Sequence, residues 1–188
     1  MSKKSYVFTK KDYNNSNGML TSVWGPSFWH VLHTISVNYP INPSCDDKQH
    51  YKTFITSLKY VLPCKYCRDN LEKNLKNTPL NALALKNREN FSKWMYKLHE
   101  TVNQSLGKKS GLKFRDVQDR YEHFRARCSS DKKANMKMKT IQKGGEKGCT
   151  VPIYGVKAKC QLHIVPQNKR GESMLIHDKC KGKTTTKN

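Results

Sequence analysis

The chain has no apolar run approaching the roughly 20 residues that span a bilayer, so no transmembrane helix is expected. Its start, Met1-Ser2-Lys3-Lys4-Ser5, lacks the apolar stretch of a secretory signal. Acidic residues are scarce, 14 against 36 Lys and Arg, giving a formal net charge of +22 over 188 residues. That surplus favours loose attraction to nucleic acid, anionic membrane or acidic proteins, but specifies no chemistry. Hydrophobic residues are only 36% of the chain, below the usual globular share, so part of its length is expected to pack poorly. There is no internal repeat, no alternating βαβ pattern and no glycine-rich dinucleotide loop, which excludes a Rossmann reading. A soluble intracellular protein is the default expectation.

What the chain does have is cysteine. Cys45, Cys64, Cys67, Cys128, Cys149, Cys160 and Cys180 are seven, and an odd number forbids complete intramolecular pairing. In a reducing compartment such a set points to metal binding or redox chemistry rather than to static staples. Only Cys64 and Cys67 form a CxxC.

The first 22 residues are polar, rich in Lys and Asn, and without periodicity; a mobile arm is placed at residues 1–19. From Trp24 the pattern changes. Phe28, Leu32, Ile35 and Tyr39 recur at helical spacing, with Pro26 suited to a first turn and Pro40 closing the segment. Tyr51, Phe54, Ile55, Leu58, Val61 and Leu62 make a second stripe, ended by Pro63. A third helix is expected from Pro63-Cys64 to about Asn77. Phe91, Trp94, Met95, Leu98, Val102 and Leu106 define a fourth, with Gly107 at its C-terminal cap. Phe114, Val117, Tyr121 and Phe124 define a short fifth. The spacing predicts an all-α four-helix bundle with a fifth helix appended, in a domain at residues 20–128.

Residues 129–148 read as a Lys-, Met- and Gly-rich linker, and 149–188 as a basic Cys/His-containing tail, irregular or with a small β-rich element. Val151-Pro-Ile-Tyr, Leu162-His-Ile-Val and Met174-Leu-Ile are its strand-like runs. Two of Cys149, Cys160 and Cys180 suit a shuttle disulfide. Cys160, His163, His177 and Cys180 form mirrored pairs that suit four tetrahedral zinc ligands. A basic extension without fixed order is the third reading.

Cys64-Lys65-Tyr66-Cys67 follows a helix breaker and is expected in a first helical turn. Residues three apart there share a face, and exposed N–H groups with the helix dipole favour a thiolate, the attacking species in disulfide exchange. Half of a zinc site and two unpaired cysteines are the other readings; the bundle has no second CxxC to complete a zinc ribbon.

Trp24-Gly25-Pro26-Ser27-Phe28-Trp29-His30-Val31-Leu32-His33 precedes the cysteines, and Phe91 to Asn103 followed by Leu106-Gly107-Lys108 comes after them. Taken in order, WxxLH as Trp29 to His33, PCxxC as Pro63 to Cys67, and HxxVN with LGK resemble the Erv/ALR family of FAD-linked sulfhydryl oxidases over roughly residues 20–128. Tyr121 to Cys128 and the Lys/Asn-rich composition are similar to members from large DNA viruses. The resemblance implies FAD held inside the bundle. Its implied contacts are Gly25, Trp29, His33, Tyr39, Cys67, His99, Val102, Asn103, Lys108 and Tyr121. Aromatic rings would enclose the flavin or adenine, His and Asn would bond polar edges, and Lys108 would face the phosphates. Glu100 stands where many relatives have Asn. The cysteine that commonly pairs with the position of Cys128 is absent, with Lys113 or Phe114 near its place.

The resemblance further implies a reaction. A protein dithiol attacks the Cys64–Cys67 disulfide at Cys64, Cys67 passes two electrons to FAD, and dioxygen reoxidises the flavin to give hydrogen peroxide. It also implies a homodimer, and work on virion proteins in the host cytoplasm, a viral factory or the virion. The rival reading is a basic nucleic-acid-binding or virion structural protein whose cysteines are structural or bind zinc. Non-specific nucleic-acid attraction is compatible with either.

Overall fold

Polar side chains cap the starts of several helices of this protein. In the computed structural model, which describes residues 8–127, 148–149, 151–153, 160–162 and 174–176, helix α1 spans Lys10–Tyr13 and α2 spans Thr21–Val37. Helix α3 spans Cys45–Val61, α4 Lys65–Asn77, α5 Arg88–Ser105 and α6 Phe114–Glu122. Ser44 starts α3 through a capping box: its hydroxyl accepts from the Asp47 N–H at 3.0 Å and the Asp47 carboxylate accepts from the Ser44 N–H at 2.8 Å. Asn87 caps α5 in the same sense, accepting from the Asn90 N–H at 2.9 Å.

Helix α5 ends in a Schellman turn. Gly107, at φ +67°, donates to the Gln104 carbonyl, and Lys108 N–H donates to the Asn103 carbonyl at 2.8 Å. Glycine takes that left-handed backbone without a side-chain penalty. The turn holds Lys108 beside Asn103 at one end of the bundle.

Helix α2 packs on α5 and α6, α3 on α4, and α4 on α5. The core they enclose is built from Leu32, Ile55, Leu58, Phe91, Trp94, Met95 and Leu98, all buried. The stripe expected on the fourth helix thus faces inward along its first three turns. Helix α2 begins before the expected first turn, because Val23 N–H bonds the Leu20 carbonyl and the Trp24 indole bonds the Met19 carbonyl; Pro26 therefore lies inside the helix.

Tyr39, expected as a cofactor contact, is instead a core residue. It is 0% exposed, its hydroxyl donates to the Leu85 carbonyl at 3.0 Å, and its ring packs edge-on against Tyr51 and tilted against Phe91. A buried phenol needs a hydrogen-bond acceptor, and a loop carbonyl supplies it.

Within the segment expected to be a mobile arm, α1 carries its own capping box from Thr9 and Asp12, and Gly18 bridges antiparallel to Cys64. Two-stranded ribbons follow the bundle. β1 (Ala126–Arg127) pairs antiparallel with β2 (Val151–Pro152), and β3 (Cys160–Leu162) with β4 (Met174–Ile176). The β1 strand had no signal in the sequence. Among the described residues, no helix is long and apolar enough to cross a membrane.

Candidate active site

Cys64 is the N-cap of α4 rather than a residue of its first turn: its φ of −153° and ψ of 119° are extended, and its Sγ accepts from the Cys67 N–H at 3.2 Å. A helix start presents N–H groups that no carbonyl of the helix satisfies, and a sulfur there takes one of them. Burial alone raises the Cys64 thiol. The Cys67 thiol, the N–H groups of Cys67 and Tyr66 and the Thr21 hydroxyl reverse this and hold it below the ordinary thiol value. Cys67 moves the other way. Burial and the neighbouring Cys64 raise it, against smaller opposing effects of Thr21 and Arg68. Of the two thiols, Cys64 is therefore the one held toward the thiolate.

Cys67 opens into a cavity of about 660 Å³ between α2, α3, α4 and α5, within the range of small-molecule sites. Trp29, His33 and Gly25 line it from α2, and His99, Val102 and Asn103 from α5. Lys108 stands at the α5 end and Tyr121 reaches in from α6. Nine of the ten expected contact residues thus meet around one hollow, Tyr39 being the exception. Cys64 does not line it. A separate hollow of about 700 Å³, bounded by Thr78, Lys93 and Lys97 among others, contains no cysteine or histidine.

Inside the cavity, the two histidines bond each other. His33 Nε2 and His99 Nδ1 lie 2.9 Å apart, one ring donating to the lone pair of the other. Trp29 stacks on His99 at 3.9 Å between ring centres and 5° between planes, and Tyr121 stacks on His33 at 5.2 Å. Burial pushes His33 down to about 3, with His99, His30 and Arg120 acting in the same sense. Burial likewise pushes His99 down to about 4, partly opposed by Glu100. Both rings are neutral near pH 7 and offer donors and acceptors without charge. Glu100 Oε1 accepts from Asn103 Nδ2 at 2.9 Å and fixes which end of that amide faces outward.

Asn70 and Asn74 also line the cavity. They follow Cys67 at i+3 and i+7 on one face of α4, a spacing legible in the sequence. Trp24, Phe28 and Thr21 join them from the first turns of α2.

Cys45 is an exposed free thiol, and Cys149 is exposed. Cys128, His163, His177 and Cys180 lie outside the described residues, as does the side chain of Cys160, so the shuttle and zinc readings of the tail fall outside them as well.

Residues 26–122 match the model of the Erv1 / Alr family. A probable FAD-linked sulfhydryl oxidase R368 of Acanthamoeba polyphaga mimivirus is 44% identical over 86 residues, 46% of this chain and 60% of that protein. FAD-linked sulfhydryl oxidase ERV1 of Arabidopsis thaliana is 37% identical over 45% of this chain and 42% of its own length. A FAD-linked sulfhydryl oxidase of African swine fever virus is 34% identical over 46% of this chain and 70% of that protein. The chain thus spans 60% or less of the mimivirus and Arabidopsis relatives. The crystal structure of the yeast Erv1 core aligns with 63% of this chain and 92% of its own at 25% identity and a TM-score of 0.49. Since the matched stretch runs from Pro26 in α2 to Glu122 in α6 and takes in the CxxC and nearly all of the cavity wall, this chain belongs to the Erv1 / Alr family.

Proposed function

We propose that this chain is an FAD-dependent sulfhydryl oxidase that makes disulfides in protein dithiols through a Cys64–Cys67 redox disulfide. One observation carries the reading: Cys67 lines the aromatic cavity while Cys64 does not. That arrangement gives one sulfur to the client and the other to a cofactor.

The residues fit FAD by their chemistry. The planar stack of Trp29 and His99 and the ring of Tyr121 suit a flat heteroaromatic system. Neutral His33, His99 and Asn103 suit its polar edges, and Lys108 suits a phosphate at the cavity end. FAD bound there supplies the two-electron acceptor that dioxygen regenerates as hydrogen peroxide.

The protein's own part is thiol exchange. A client thiolate attacks Cys64 Sγ, the Cys64–Cys67 bond breaks, and Cys67 leaves with the electron pair. The second client thiolate then attacks the client sulfur of the mixed disulfide and expels the Cys64 thiolate. The client loses two electrons and two protons, and the pair gains them. A lowered Cys64 pKa makes that sulfur the better leaving group in the second step.

Purified full-length protein is expected to be yellow, with flavin absorbance, and to consume dioxygen and release hydrogen peroxide in the presence of dithiothreitol. Folded protein that takes up no FAD, or takes it up and oxidises no thiol, would sink the reading.

A further inference from the structure

The polar segment before α2 passes directly over the redox pair. Asn17 carbonyl accepts the Lys65 N–H at 3.0 Å, and Met19 N–H donates to the Pro63 carbonyl at 2.5 Å. The Lys65 N–H belongs to the first turn of α4 and has no acceptor within its own helix, so Asn17 supplies one from outside. Between these bonds lies Gly18, at φ +110°. A Cβ on Gly18 would fall 2.4 Å from the Pro63 oxygen and 2.8 Å from the Cys64 Cα. Only glycine permits both this backbone and this approach. The Trp24 indole donates to the Met19 carbonyl at 3.2 Å and ties the far end of the segment to α2.

The chain then enters α2 at Thr21. The preceding Leu20 caps nothing with its side chain. The Thr21 hydroxyl is directed instead at Cys67, with Oγ1 and Sγ 3.7 Å apart. The titratable and charged groups acting on Cys67 are the Cys64 thiol and the Arg68 guanidinium of α4.

We propose that residues 17–21 form a strap that positions the redox pair, with Gly18 seating it against Cys64 and Thr21 as the hydrogen-bonding positioning residue for Cys67. The proposal rests on the reading of Cys64–Cys67 as the redox pair. It extends that reading by giving a functional part to a segment that precedes residue 26, where the family match begins.

The test is the pH profile of Cys67 alkylation by iodoacetamide in the reduced full-length protein, read by peptide mass mapping. Thr21→Val keeps the side-chain shape and removes the hydroxyl; Thr21→Ser keeps the hydroxyl. Thr21→Val is expected to move the midpoint to higher pH and slow alkylation at pH 7 by roughly three- to tenfold, while Thr21→Ser keeps the parent profile. Gly18→Ala, which displaces the strap, is expected to move the midpoint the same way as Thr21→Val. A midpoint unchanged in Thr21→Val, a Thr21→Ser profile shifted as far as that of Thr21→Val, or a Gly18→Ala profile matching the parent would each overturn the proposal. Oxygen consumption by the parent protein tests the oxidase reading separately, because alkylation needs neither FAD nor turnover.

Discussion

His33 and His99, from facing helices, share a hydrogen bond of 2.9 Å between ring nitrogens, and Trp29 lies flat against the second of them. A bond of this kind needs one ring to keep a lone pair, so it is lost when both rings are protonated.

Acid should therefore destabilise the bundle. The folded values, about 3 for His33 and about 4 for His99, lie below the ordinary 6.5. As pH falls below 6.5 the unfolded chain takes up protons that the folded one refuses. This contribution is complete above pH 6.5 and shrinks as pH falls toward 4, by at most about 1.4 kcal/mol per pH unit for each histidine. Urea denaturation at pH 7 and pH 5 should show it. A His33→Asn/His99→Asn double variant should show a shallower loss; an equally steep one would mean that other groups dominate.

The two cysteines should separate in their failures. Cys64→Ser and Cys67→Ser should each lower dithiol-driven oxygen consumption to background, since exchange needs both sulfurs. Presented with an oxidised client, only Cys67→Ser should accumulate a mixed disulfide, because its Cys64 thiolate attacks the client disulfide and expels one client thiolate, and no Cys67 is present to displace the other client sulfur. Mass spectrometry of non-reduced adducts distinguishes them, and an adduct on Cys64→Ser but not on Cys67→Ser would reverse the assignment.

Lys108 should matter for retention of the flavin more than for the fold. It is exposed beyond the end of α5, held by the Schellman turn. Lys108→Ala removes one charge-assisted contact, worth about 1.5–3 kcal/mol, and FAD affinity should fall roughly ten- to a hundredfold. The loss should shrink as salt rises, while the thermal midpoint of the apoprotein stays near that of the parent. Equilibrium dialysis against FAD at two ionic strengths measures this.

Tyr39→Phe is the converse case. It leaves the Leu85 carbonyl without its phenol donor and should cost about 1 kcal/mol of stability. The flavin content should not change, because Tyr39 is absent from the cavity wall. A colourless but stable Tyr39→Phe protein would contradict the core assignment.

Much of the helical framework was legible because periodicity is a local signal. Phe91, Trp94, Met95 and Leu98 announce their buried face by spacing alone, and Pro63 announces the break before Cys64 and Cys67. Tyr39 was misread because an aromatic residue at a helix end looks the same whether it meets a cofactor or a neighbouring loop; the Leu85 carbonyl that decides the matter is 46 residues away. The contacts of residues 17–19 were invisible for the same reason. Their sequence is polar and aperiodic, and their order comes from bonds to Pro63 and Lys65 that no local pattern encodes. The start of α3 was not marked by its stripe, because the Ser44–Asp47 capping box precedes the first apolar residue, Tyr51, by most of two turns. In β1, two residues are too few to alternate.

The division between Cys64 and Cys67, one away from the cavity and one on its wall, separates two kinds of selection. On the proposed reading, whatever delivers reducing equivalents has to satisfy only the outer surface around a single sulfur atom and is never measured against the interior. The bundle can therefore keep an unvarying inner compartment while the exterior changes freely from one clientele to another.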